Sequence, residues 1–333
     1  MKIKLYCLLG RMRQMRVEIK KECQMSYSHW KKLKLNFIFA LLSVIVFTAI
    51  LYACSKQETG TSKSIVFKDE QKANVIGYTD HLMEPFLSRD GKIILFNNSN
   101  DPSVNTNLHW AFRVDDINFE YKGEVTGVNT PKLEGVPTMD KDGVFYFVST
   151  RDYDQTLASI YQSNFSNGAA TNVTQTSGLS KNQAGWLNFD VEVSADGQHL
   201  YFVDGRFDQL GGPYEADIVI AKKNNNAFQR LVNSNEILKN INTDQLEYAA
   251  CISANDLELY FTRLALPISA TSVPQIFVSS RNTPNVSFGT PLKIESISGF
   301  VEAPTISPDG KTLYYHKKEV DGKYALYLTK RVE

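Results

Sequence analysis

The sequence predicts an all-β chain, a five-bladed β-propeller of four-stranded blades whose last blade is closed by an N-terminal strand. A four-residue turn recurs five times along the 333 residues, each time between two short extended runs. An unmatched strand signal precedes the first turn, and the last unit ends one strand short.

The turns are Ser88-Arg89-Asp90-Gly91, Asp140-Lys141-Asp142-Gly143, Ser194-Ala195-Asp196-Gly197, Ser253-Ala254-Asn255-Asp256 and Ser307-Pro308-Asp309-Gly310. Their third residues are 52, 54, 59 and 54 positions apart. Pro and Gly preset such turns, Gly by entering positive φ without steric cost. An aromatic-rich second strand follows each turn: Ile94-Leu95-Phe96, Phe145-Tyr146-Phe147, Leu200-Tyr201-Phe202, Leu259-Tyr260-Phe261 and Leu313-Tyr314-Tyr315. Third strands follow at 109–113, 159–162, 217–220, 275–278 and 325–328. Fourth strands follow at 119–121, 171–173, 228–231 and 288–294, several of them opened by Phe. Four strands per unit and a period near fifty are the signature of propeller blades. The units run at about 67–113, 119–166, 171–223, 228–281 and 288–331. The last lacks a fourth strand, and Ile65-Val66-Phe67-Lys68 is expected to supply it, removing an exposed sheet edge.

On these turns and strands the chain resembles the WD40-like repeat family of TolB-type β-propellers, found in many bacterial envelope proteins. Glu302 to Tyr315 matches best, and Asn255-Asp256 departs from the usual Asp-Gly. The resemblance covers about residues 65–331. It implies the fold more than any activity.

The N-terminal part reads as an export signal. Residues 1–24 are basic without a clear period and are expected to be a leader outside the native chain, which would start at Met25. Lys31, Lys32 and Lys34 then precede an uncharged run, 35–53, as in a signal peptide over 25–53. Leu51-Tyr52-Ala53-Cys54 resembles a lipobox, which makes Cys54 the expected lipidation site. The other reading of this run is an uncleaved anchor. Either places the propeller outside the cytoplasm, and the lipidated form is expected at the outer membrane. The polar stretch to residue 64 reads as a flexible tether, leaving 65–333 as the propeller.

The formal net charge is zero, but residues 1–53 hold ten Lys/Arg against two Asp/Glu. The remainder carries 26 basic and 34 acidic residues, a net of −8 that argues against nucleic acid as partner. Cys251 is the one cysteine left after Cys54, so no disulfide framework is expected and the core has to come from burial.

Strand alternation places the recurrent turns on one face. On the other, each unit has an acid at or before its inner strand: Glu84, Glu134, Asp190 with Glu192 close behind, Glu247 and Glu302. After the second strands, on the same face, come Asn98, Arg151, Arg206, Arg263 and Lys317, with His316 read as solvated. The expectation is one ring of carboxylates around the axis and mostly cationic groups outside it. Such acids suit ties between blades, and they equally suit a ligand. The ligand-binding candidates are Glu84, Glu134, Arg151, Trp186, Asp190, Arg206, Glu247, Arg263 and Glu302. They would engage an envelope protein, peptide or glycan. Units 3 and 4 are the most individual, so a specific site is expected at Asp190, Arg206, Glu247 and Arg263, with Trp186 as a stacking platform.

The alternative is a glycan hydrolase with Asp190 and Glu247 as acid and base, since five-bladed propellers include such enzymes. Crowded carboxylates do not all ionise comfortably, and Ca²⁺ is the natural oxygen-ligated occupant of such a ring. No run of Asp ligands accompanies it, and His81, His109 and His199 lack metal-ligand spacing, so no metal site is expected. No Ser-His-Asp set, phosphate loop or Cys-pair motif is visible.

Overall fold

The computed structural model describes residues 65–225 and 227–332. The expected leader, signal peptide, Cys54 lipidation and tether lie outside the described residues. Among the described residues no helix is long and apolar enough to cross a membrane.

The chain forms five blades in sequence, each of antiparallel strands, with blades 3 and 4 joined into one sheet by a parallel pairing of Ala216 with Leu246. Blade 5 takes its outer strand from the start of the chain, β1 (Phe67–Lys72), and blade 1 takes an extra edge strand, β2 (Asn74–Ile76). Blade 1 is β3 (Met83–Leu87), β4 (Ile93–Asn97), β5 (Leu108–Arg113) and β6 (Asn118–Glu124). Blade 2 is β7 (Glu134–Met139), β8 (Val144–Ser149), β9 (Ile160–Ser166) and β10 (Ala169–Gln175). Blade 3 is β11 (Trp186–Val193), β12 (His199–Asp208), β13 (Gly211–Asn224) and β14 (Ala227–Arg230). Blade 4 is β15 (Leu246–Ile252), β16 (Glu258–Leu264), β17 (Gln275–Ser280) and β18 (Leu292–Lys293). Blade 5 is β19 (Val301–Ile306), β20 (Thr312–Lys318), β21 (Tyr324–Arg331) and β1.

The expected closure is present. Phe67 pairs with Arg331 and Lys72 with Tyr327 in antiparallel register. A feature the sequence reading missed is β2, which runs parallel to β6 with Val75 opposite Phe119. Within ten residues the chain therefore stitches the last blade to the first. The expected fourth strand at 288–294 shrinks to β18, because Phe288 is fully buried against Ile237 and Leu238 as a core plug.

The second strands explain why the blades form a ring. Side chains alternate across a strand, so the central residue of each triplet faces the next blade. Leu95 packs with Phe145 and Phe147, and Tyr146 with Leu200 and Phe202. Tyr201 packs with Leu259 and Phe261, and Tyr260 with Leu313 and Tyr315. Tyr314 packs with Ile94 and Phe96 of blade 1, which closes the circle. Each seam thus has its own apolar core.

The recurrent turns satisfy themselves. In Ser88-Arg89-Asp90-Gly91 the serine hydroxyl donates to Asp90 at 2.6 Å and accepts from the Ile93 amide at 3.1 Å. Gly91, Gly197 and Gly310 sit at φ near +70°, the left-handed region that Gly enters without strain.

Candidate functional site

Every inner strand breaks register with its neighbour a few residues before its turn, one residue earlier in blade 3 than in the other four. The breaks fall between Met83 and Phe86, Gly135 and Thr138, Asn188 and Val191, Tyr248 and Cys251, and Glu302 and Thr305. Four blades hold a non-glycine residue in the left-handed region there: Glu84, Val136, Ala249 and Ala303, at φ +49° to +53°. Such residues cost on the order of 1–3 kcal/mol each, and bulges re-aim the side chains beside them.

Measured from this bulge, the five predicted acids do not form one ring. Glu84 and Asp190 occupy the bulge, Glu302 lies one residue before it, and Glu134 and Glu247 lie two before. The two sets have different surroundings.

Glu134 and Glu247 are fully buried in matching cages. Thr130 donates to Glu134 through its amide and hydroxyl, both at 2.7 Å, and Thr243 does the same to Glu247 at 3.0 and 2.6 Å. Arg151 reaches Glu134 at 3.3 Å and Arg263 reaches Glu247 at 2.7 Å. Each guanidinium also donates to a carbonyl, Val128 or Ile241, and lies over two rings, Phe147 and Tyr161 or Phe261 and Phe277. A shared hexad, Asn-Thr-x-x-Leu-Glu at 129–134 and 242–247, encodes the cage. Its Asn clamps both the amide and the carbonyl of one residue in the preceding blade, Leu108 or Ile218. These four predicted site residues therefore sit inside ties between blades.

Glu84, Asp190 and Glu302 gather at the axis. Glu84 and Asp190 are more than nine-tenths buried. Asn100 donates to Glu84 Oε1 at 2.7 Å, while Oε2 has no partner. Asp190 accepts the Ala249 amide at 2.9 Å. Glu302 accepts the Tyr248 hydroxyl, and its Oε2 lies 3.2 Å from His316 Nε2. His316 is fully buried and accepts the Glu84 amide at Nδ1, 3.0 Å away. Its expected solvation is therefore corrected: His316 follows the buried Tyr315 inside β20, and only the lysines after it, Lys317 and Lys318, approach the exposed end of the strand. Burial, with the charges of Asp190 and Glu302, raises Glu84 well above the carboxylate range. Burial pushes Asp190 up to about 7 against the Ala249 amide, with Glu302 adding to the rise. Protons are therefore held in this cluster near neutral pH.

Deeper along the axis is a cavity of about 30 Å³ lined by Glu84, Phe86, Val191, Glu192, Cys251 and Thr305, among others. Arg89 stoppers the turn side. It leaves the first turn, crosses the ring, and meets Glu192 at 2.7 Å and the Ile252 carbonyl at 3.3 Å. Thr138 donates to the other Glu192 oxygen at 2.6 Å. The sequence reading used Arg89 only as a turn residue. The available signal was that the corresponding positions hold Lys141, Ala195, Ala254 and Pro308.

Trp186 and Arg206 stand elsewhere, opposite each other on β11 and β12. The Lys181 ammonium lies 3.2 Å from the Trp186 ring centre. Arg206 pairs with Glu215 at 2.5 Å, both exposed, and lies over the Tyr214 ring. So the expected grouping of Trp186, Asp190, Arg206, Glu247 and Arg263 divides among rim, channel and blade tie. The rim is dominated by the long β12–β13 hairpin, whose tip bears Leu210 at 91 % exposure. Val104, Ile268, Val273 and Val320 are also exposed on loops of this face.

These features define a five-bladed β-propeller with a closed acidic channel. No family model and no curated protein matches the chain. Among solved structures it is similar to an α-L-arabinofuranosidase from Podospora anserina in complex with cellotriose. The TM-score is 0.52 at 10 % identity, over 81 % of this chain and 96 % of that one. A structure titled glycoside hydrolase gives a TM-score of 0.51 at 11 % identity, over 80 % and 92 %. TolB from Acinetobacter baumannii gives 0.41 at 17 % identity, over 76 % of this chain and 55 % of that one. At these identities the likeness is one of fold.

Proposed function

We propose that the protein is a binding module of the cell envelope, held to the membrane through Cys54, that engages an envelope protein, peptide or glycan with the loops of its acid-bearing face. One observation carries this reading. The channel carboxyls are closed in beside a cavity of about 30 Å³, whereas small-molecule pockets run to roughly 300–1,000 Å³. The exposed apolar and aromatic groups on that face are instead on the loops, above all Tyr214 and Leu210 of the blade 3 hairpin.

A second reading, hydrolysis of a glycan, is favoured by the cluster itself. A carboxyl that keeps its proton near neutral pH is what a general acid needs, and Asp190 and Glu84 have that character. The similar arabinofuranosidase and glycoside hydrolase share the fold. Glu247, caged by Arg263 and Thr243, is no longer the partner this reading would choose; Glu84 and Glu302 are.

One experiment separates the two. The purified chain and its Leu210→Ser, Trp186→Ala and Asp190→Asn variants are assayed against a panel of envelope peptides and glycans for binding and turnover. Binding without turnover, weakened in the rim variants and kept in Asp190→Asn, is the expected result. Turnover of a glycan that Asp190→Asn abolishes would replace the binding reading with the hydrolytic one.

A further inference from the structure

On the turn face, Asp196, His199 and Asp256 each offer a ligand atom, and these atoms all lie within 4.8 Å of one another. Asp196 and His199 come from the turn and second strand of blade 3, Asp256 from the turn of blade 4. Two of the three are departures from the repeat. Asp256 stands where the other four turns have Gly91, Gly143, Gly197 and Gly310, and it keeps their left-handed backbone at φ +60°. The position of His199 is held by Ile93, Glu258 and Thr312 in blades 1, 4 and 5.

Both departures leave polar atoms unpaid by the protein. Asp256 Oδ1 and His199 Nδ1 are buried and have no hydrogen-bond partner. Asp196 Oδ1 accepts from the Ser194 hydroxyl at 2.6 Å and the Gln198 amide at 3.0 Å. The nearby Arg281 guanidinium acts on Asp256 through its charge but makes no hydrogen bond to the carboxylate. Its Nε donates to the Asp256 backbone carbonyl at 2.8 Å and its Nη2 to the Tyr201 hydroxyl at 3.0 Å. A buried carboxylate oxygen and a buried imidazole nitrogen without partners are both destabilising by themselves, and a cation bound between them would supply the partner each lacks.

We propose that Asp196, His199 and Asp256 form a binding site for a divalent cation of the zinc class across the seam between blades 3 and 4. One imidazole and two carboxylates are a donor set for a borderline metal, and three protein ligands leave a position for water. The two carboxylates offset the charge of the ion, with Arg281 the neighbouring cation that acts on both Asp256 and His199. The site lies on the opposite face from the loops assigned to partner binding and does not depend on that assignment.

The test uses the full chain stripped by a chelator and then equilibrated with Zn²⁺. Asp256→Gly restores the residue the other turns use, so it removes a ligand while easing the backbone; His199→Gln removes a second. Wild type is expected to take up one Zn²⁺ per chain with a rise in Tm of several degrees. Each variant should lose more than about tenfold in zinc affinity, with Asp256→Gly at least as stable as the metal-free wild type. Absence of zinc uptake by the wild type would overturn the proposal. So would uptake weakened less than tenfold in both variants.

Discussion

At the scale of single residues, two positions of register separate a blade tie from a channel carboxyl. Glu84 and Asp190 lie six residues before the third residue of their turn, Glu302 seven, and Glu134 and Glu247 eight. That offset was legible in the sequence, and it sorts the acids as the structure does. What was not legible is the bulge that makes the offset matter, because Val136 and Ala249 have no turn-forming character. The consequences can be measured. Arg263→Ala leaves Glu247 buried without its cation, held by the two Thr243 donors alone, and the loss in urea-unfolding stability should be about 3–5 kcal/mol. Asp190 has the opposite character. Its folded pKa of about 7 lies above the unfolded value, so its contribution is full at low pH and lost as pH rises through neutrality. Between about pH 5 and about pH 8 the wild type should lose stability that Asp190→Asn keeps, by up to a few kcal/mol, read from urea midpoints.

At the scale of elements, the recurrent turn and the aromatic second strand were readable because they obey local rules. Period-2 alternation made Leu-Tyr-Phe a strand with one face for each adjoining seam. The Asn-Thr-x-x-Leu-Glu hexad was present twice in the sequence but its partners were not, since Leu108 and Ile218 lie 21 and 24 residues away from their clamping Asn. Asn129→Ala and Asn242→Ala each remove a two-bond clamp on a neighbouring blade. Each should cost about 1–3 kcal/mol, and the double variant should show their sum, because the two clamps share no residue. A shortfall from additivity in urea unfolding would mean that the seams communicate. Arg89 shows the limit of local reading: the turn explains its backbone, but only the assembled ring supplies Glu192 as its partner.

At the scale of the whole molecule, five seams and one closure follow from five repeats and a displaced strand. The count of blades and the origin of the closing strand could be read from spacing. The second stitch, β2 on β6, could not, because three residues in parallel pairing leave no periodic trace. Deleting 65–72 should leave the inner strands paired within their blades but expose the β21 edge. Limited proteolysis is then expected to cut first in blade 5, and unfolding should lose its single transition.

The closure also has a history in time. β1 is made before any blade of the ring, and its partner β21 is made after all the others. Phe67 waits for Arg331 across the whole ring. Until then an unpaired strand edge exists at each end of a growing curved strip, and the longest-range pairing in the molecule is the last that can form. For the interval of synthesis these edges are the chain's main aggregation hazard, and the interval ends only when β21 reaches the waiting β1.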